Sequence, residues 1–158
     1  MADEPTSSLD PSVQAKVLKM LMSLQIEKGL TLLFVTHDIG LARKISDRIG
    51  VMLSGHLVEI GTAKSVIGRP GHPYTRFLID SACGVAEVRP PFYPPISAGC
   101  PFAERCNRFR NRCHTDPPPV NLNGGSHLAW CFHPLESQCS DREESFAECR
   151  DRSDLRLQ

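Results

Sequence analysis

Two adjacent carboxylates, Asp3 and Glu4, head the run Met1-Ala2-Asp3-Glu4-Pro5-Thr6-Ser7-Ser8-Leu9-Asp10. A carboxylate pair placed just after a buried strand, followed by a Pro-Thr-Ser turn and an Asp that opens a helix, suits the binding of Mg²⁺ and the activation of a water. That is the outline of phosphoryl-transfer chemistry. Further on, Phe34-Val35-Thr36-His37-Asp38 puts an imidazole at the exit of an apolar run, where α/β sheets usually place functional groups. Taken singly, each has an ordinary reading: paired acids in a solvated turn, a strand-end histidine with its ring satisfied, and Asp10 as a helix N-cap. Their joint order sets them apart.

A second constellation is Cys100, Cys106, Cys113 and Cys131, separated by five, six and seventeen residues. No Cys-x-x-Cys pair occurs among them, so spacing alone gives zinc, an iron–sulfur cluster and unligated thiols comparable weight. The seven cysteines all fall at or beyond Cys83 and their number is odd. With an ordinary α/β pattern in the first half, this favours a metal site in a reducing compartment over a secreted disulfide scaffold. His114 and His133 could serve a zinc alternative. Arg105, Arg108, Arg110 and Arg112 read as a solvated basic face, and Cys139 and Cys149 as free thiols of a charged tail.

The elements that must position these groups are legible in the pattern. Val13, Val17, Leu18, Leu21 and Leu24 recur at helical spacing after Asp10 and Pro11, and Gly29 closes the segment. Leu30 to Val35 is a continuous apolar run, which predicts a strand buried on both faces. Residues 38–46 predict a short helix, Arg48 to Leu53 and Leu57 to Ile60 predict strands joined by a turn at Ser54-Gly55-His56, and Thr62 to Ile67 a helical turn or two. His72-Pro73-Tyr74-Thr75 opens a helix to about Ala82. From Gly84 Pro, Cys, Arg and Asn dominate, Pro90-Pro91 and Pro94-Pro95 preclude regular structure, and large aliphatic residues are scarce. Such a segment needs another means of holding together, and cysteine ligation is the obvious one.

A chain of 158 residues suffices for one domain, or one domain with an appendage. Lys+Arg and Asp+Glu both number 18, so no strong field argues for nucleic acid or an anionic membrane. No secretory signal is present and no apolar run reaches the ~20 residues of a spanning helix. A soluble cytoplasmic protein is the expectation.

The string from Asp3 to Asp10 closely resembles the Walker B end and D-loop of ABC-transporter ATPases, and Thr36-His37-Asp38 resembles their H-loop. The resemblance implies that Asp3 holds Mg²⁺, that Glu4 polarises the attacking water, that His37 contacts the γ-phosphate of ATP, and that Ser8 and Asp10 belong to a D-loop that crosses a dimer interface. Gly99-Cys100-Pro101-Phe102, Arg105-Cys106, Cys113 and His127 ahead of Cys131 are similar to the C-terminal extension of dipeptide and oligopeptide transporter ATPases. Gly71-His72-Pro73-Tyr74-Thr75 matches the same subfamily, which includes nickel-uptake relatives. In several members of that group the four cysteines ligate a 4Fe–4S cluster. Cys100, Cys106, Cys113 and Cys131 are then the candidate ligands, with zinc as the alternative and a structural role for the metal.

The implied architecture is α/β: a partial P-loop ATPase sheet with flanking helices over 1–83, an irregular Cys-rich extension over 84–136 and a charged tail over 137–158. The implied partners are a second ATP-binding subunit, the membrane permease subunits of an importer and, indirectly, a substrate-binding protein, with no nucleic acid. The location would be the inner face of the cell membrane, reached through the permease. No Gly-x-x-x-x-Gly-Lys-Ser/Thr loop, glutamine loop or Leu-Ser-Gly-Gly-Gln-like signature occurs in the chain. The expectation is therefore the C-terminal portion of a longer ATPase, inactive alone and left with exposed apolar faces that favour self-association. A rival is a non-enzymatic, metal-binding regulatory subunit.

Overall fold

The computed structural model describes residues 1–5, 9–85, 98–122 and 126–135. Ser8, both diproline pairs, and the tail with Cys139 and Cys149 lie outside them. The chain divides into two compact units, 1–45 and 46–158.

In the first unit, α1 (Pro11–Lys28) ends at Gly29, whose left-handed conformation aims its amide at the Gln25 and Ile26 carbonyls. Asp10 holds the N-cap position with its backbone alone: its carbonyl accepts from the Val13 and Gln14 amides at 2.9 and 2.8 Å, and its side chain makes no capping bond. Two short strands, β1 (Ala2–Asp3) and β2 (Phe34–Val35), pair in parallel with Asp3 opposite Val35. The Ala2 amide donates to Leu33 and the Glu4 amide to Val35, at 2.8 and 3.0 Å. The longer strand expected over 30–35 is thus regular at two residues only, because ladder bonds form only where β1 lies alongside. Nor is the run buried on both faces: Leu30 is 56% and Leu33 60% exposed. On α1, Leu18 is buried while Met20, Leu24 and Ile26 face solvent. After β2, Asp38 starts α2 (Ile39–Ile45) by accepting the Leu41 amide at 2.9 Å.

The second unit is built on an antiparallel sheet. Strands β3 (Arg48–Leu53) and β4 (His56–Thr62) form a hairpin whose turn residues Ser54 and Gly55 both have positive φ, 48° and 80°, the conformation of a two-residue type I′ turn. An irregularity beside Val51 and Met52 leaves Val58 unpaired in the register. Helix α3 (Ala63–Gly68) is capped by Thr62 Oγ1, which accepts the Ser65 amide. Helix α4 (Pro73–Ala82) is capped by the His72 ring. Beyond it come a 3₁₀ turn at Ala103–Arg105 and the one-turn α5 (Arg112–Thr115). The chain ends its described part with β5 (Val120–Leu122) and β6 (Leu128–Trp130).

The sheet order is β3-β4-β6-β5. The Cys-rich segment, expected to be irregular, therefore contributes two strands to the same sheet as the hairpin. Strand β6 joins β4 with Glu59 opposite Ala129 and Ile60 opposite Leu128. The open edge of β4 satisfies backbone groups that this aliphatic-poor segment could not pair within itself. No helix among the described residues is long and apolar enough to cross a membrane.

At the centre of the unit is a charged side chain. Glu59 is fully buried. Its Oε1 accepts the Gly71 amide at 2.7 Å and His127 Nε2 at 2.6 Å, and its Oε2 accepts the His72 amide at 2.8 Å. One carboxylate thereby fastens the hairpin to the start of α4 and to the entrance of β6. Gly61 makes room for this, since an added Cβ would stand 2.9 Å from His127 Cδ2 and 3.2 Å from Val66. Glu59→Ala should orphan three buried donors and cost about 3–5 kcal/mol, with Glu59→Gln costing less. Urea denaturation of the two variants beside the wild type measures the difference, and a loss below about 1 kcal/mol for the alanine variant would show that the hub is dispensable.

Candidate functional site

The first unit brings together two residues that lie 33 positions apart. Asp3 ends β1, Glu4 follows it, and His37 follows β2 after one intervening residue. The parallel register sets the two strand ends side by side, and His37 Nδ1 donates to Glu4 Oε1 at 2.7 Å. Both side chains are open to solvent, Glu4 at 44% and His37 at 76%. The hydrogen bond to Glu4, and then its charge, raise the His37 pKa above its usual 6.5. The charge attraction within the pair is accordingly present below pH 6.5 and is lost as pH rises through the elevated value. Glu4 has φ 40°, uncommon for a residue with a Cβ and of the kind that gathers at functional sites. Asp3 is exposed beside the pair, Asp38 is engaged in capping α2, and Asp10 begins α1.

In the second unit the four candidate cysteines line one small pocket, together with His72, Phe132 and His133. Cys100, Cys113 and Cys131 are buried and Cys106 partly so. The His133 amide donates to Cys131 Sγ at 3.4 Å, and the backbone at Phe102 and Ala103 favours the thiolate of Cys100 as that at Arg108 favours the thiolate of Cys106. Burial pushes the Cys100 and Cys106 thiols up, and the Cys131 thiol up to about 11, with the other sulfurs adding to the rise and the N–H groups opposing it. A positively charged centre would reverse this balance, because a coordinating thiol loses its proton outright. His133 Nε2 is buried without a hydrogen-bond partner among the described residues. Four soft donors, N–H groups placed for thiolates and an orphaned imidazole nitrogen fit a thiolate-ligated group. Among the described residues no three His, Cys, Asp or Glu side chains are set to hold a single metal ion.

The pocket's walls explain how the segment folds. Gly99 abuts the backbone of α5, where an added Cβ would overlap the carbonyl oxygens of Cys113 and His114, and this approach lets the Cys100 amide reach the Cys113 carbonyl at 2.8 Å. Phe102 is buried against Tyr74 and Phe77 of α4, with ring centroids 5.4 and 5.9 Å away. The arginine run is not a uniformly solvated face. Arg105 lies over Phe77 and Phe102 at 5.1 and 5.2 Å, and Arg112 over Phe132 at 4.3 Å. His114 is directed to Glu104 at 2.9 Å and does not line the pocket, whereas His133 does.

His72 joins the pocket to the sheet. Its Nδ1 accepts the Tyr74 amide at 3.0 Å, and its Nε2 lies 3.7 Å from Cys100 Sγ. Burial, only partly offset by the charge of Glu59, lowers its pKa to about 4. The ring is neutral at pH 7, and with Nδ1 accepting, the proton resides on Nε2 and points at sulfur. Sequence reasoning placed His72 and His127 in family-like strings without giving them roles, and missed Glu59. A lone carboxylate inside the apolar string Leu57-Val58-Glu59-Ile60 was the available signal.

Residues 58–113 match the family model described as oligopeptide/dipeptide transporter, C-terminal region, a span that holds Glu59, His72 and three of the four pocket cysteines. The dipeptide transport ATP-binding protein DppD of Bacillus subtilis is 33% identical over 96% of this chain and 47% of its own length. From Haemophilus influenzae, the dipeptide transport ATP-binding protein DppF is 34% identical over 84% of this chain and 44% of its own length. The oligopeptide transport ATP-binding protein OppF of the same organism is 35% identical over 85% of this chain and 44% of its own length. The chain spans about half the length of the curated relatives it matches, at 44 to 47%. With similarity of this kind over 84 to 96% of its length, the chain corresponds to a C-terminal portion of the ATP-binding proteins of dipeptide and oligopeptide ABC transporters.

Proposed function

We propose that this chain supplies the magnesium-holding and water-activating part of an ATP site in the ATP-binding subunit of a peptide-type importer, the phosphate cradle coming from sequence outside it. The observation that supports this most directly is the 2.7 Å contact between Glu4 and His37 at the ends of two parallel strands. Asp3 is the Mg²⁺ ligand, and the cation when bound supplies Lewis-acid stabilisation of phosphate charge. Glu4 takes the role of general base to the attacking water. His37 takes the γ-phosphate: a neutral ring donating Nδ1–H to Glu4 has only a lone pair at Nε2, whereas the protonated ring favoured by Glu4 donates from both nitrogens. Ser8 and Asp10 form the D-loop toward a second ATP-binding subunit. Permease subunits hold the assembly at the inner face of the membrane, and the binding protein and permease set the transported substrate. In functional terms the ATPase portion runs over 1–83, the cysteine-bearing extension over 84–136 and the tail from 137.

Cys100, Cys106, Cys113 and Cys131 are proposed to ligate a 4Fe–4S cluster that stabilises the extension, with zinc as the alternative. Four thiolates complete the ligand set of such a cluster, and the pocket lined by all four supports the reading.

Three measurements test these proposals. In the complete subunit, Glu4→Gln should lower ATP turnover by at least about 100-fold while leaving nucleotide binding intact; turnover near wild type would remove Glu4 from catalysis. An NMR titration of the His37 ring should give a pKa above 6.5 that falls back toward 6.5 in the same variant, and an unchanged value would mean that the two do not pair in solution. Protein purified without oxygen should carry iron and acid-labile sulfide in equal amounts and lose both in Cys100→Ser and Cys113→Ser; stoichiometric zinc without sulfide would refute the cluster.

A further inference from the structure

We infer that His72 is a positioning residue of the cysteine pocket, whose Nε2–H donates to Cys100 Sγ and raises the reduction potential of the group the cysteines hold. This rests on the cluster reading above. The ring has little freedom. Tyr74 donates to one nitrogen and Cys100 stands at the other, 3.0 and 3.7 Å away. The backbone beneath the ring is fixed by Glu59, which accepts the amides of both Gly71 and His72, and by Pro73 at the first position of α4. Phe102 closes one side at a centroid distance of 6.3 Å, and His72 is 1% exposed, so water does not compete for Nε2. From the far side of Glu59, His127 completes the brace at 2.6 Å.

The consequence follows from charge. A one-electron reduction adds negative charge to a thiolate-ligated cluster, and a donor on a ligand sulfur stabilises the reduced form more than the oxidised one. Backbone amides already serve Cys100, Cys106 and Cys131. His72 adds to them the one side-chain donor that the described residues aim at a pocket sulfur.

Two substitutions separate the cap from the donor. An asparagine side chain places its amide near the position of Nδ1, so His72→Asn keeps a good N-cap but cannot reach Cys100; glutamine places an N–H near Nε2, so His72→Gln keeps the sulfur contact and loses the cap. The full chain is reconstituted anaerobically with iron and sulfide, its iron content is measured, and it is titrated with dithionite through redox mediators under an EPR readout. His72→Asn should load as wild type but reduce at a more negative potential, shifted by about three- to tenfold in the redox equilibrium, up to about 59 mV for a one-electron couple. His72→Gln should retain the wild-type potential while melting earlier. Equal potentials in wild type and His72→Asn, with equal loading, would overturn the role of His72 and leave the cluster reading standing. A wild-type chain that takes up no iron or sulfide would overturn both.

Discussion

The carboxylate of Glu59 has no access to water, and a carboxylate so placed must be fully hydrogen-bonded or be lost from the fold. Its three donors come from the turn before α4, counted twice, and from the entrance to β6. The central strand of the second unit, the helix bearing the histidine cap and the Cys-rich segment are therefore held by one group. Leu135 strengthens the same junction by donating to the Gly71 carbonyl at 2.8 Å. Removing any one donor would leave charge uncompensated in a place that cannot admit solvent.

The cysteine pocket depends on that junction. Cys100 reaches His72 because Glu59 fixes the His72 backbone, and Cys131 enters because β6 lies against β4. Around the pocket, aromatic packing supplies what aliphatic residues do not: Phe102 packs against Tyr74 and Phe77 and is covered by Arg105. The segment therefore has a core, but one borrowed from α4 and roofed by guanidinium groups.

The two candidate sites have opposite exposure. Glu4 and His37 stand in solvent at the ends of two-residue strands, an exposure compatible with the nucleotide-site role proposed for them. Three of the four pocket cysteines are buried and Cys106 is partly so, and burial makes the thiols of Cys100, Cys106 and Cys131 weaker acids. Apolar side chains of the first unit, among them Ile26 at 82% and Leu33 at 60%, remain exposed, so its hydrophobic pattern is only partly used within this chain.

Local pattern determined a good deal. The helix after Asp10, the hairpin over residues 48–62, the helix opened by His72-Pro73 and the candidate groups themselves all follow from spacing, caps and turn residues that act within a few positions of one another. Three matters were decided only by tertiary structure. The run Leu30 to Val35 is helped into a strand only where a partner lies beside it. The segment beyond Gly84, which by composition has no reason to be regular, gains two strands from an edge it cannot supply. Glu59 looks like a misplaced charge in an apolar string until Gly71, His72 and His127, 12 to 68 residues away, bring their N–H groups to it. The physical reason is common to all three: propensity and capping are local energies, whereas ladder pairing and the satisfaction of a buried charge need donors and acceptors that only the folded chain brings together.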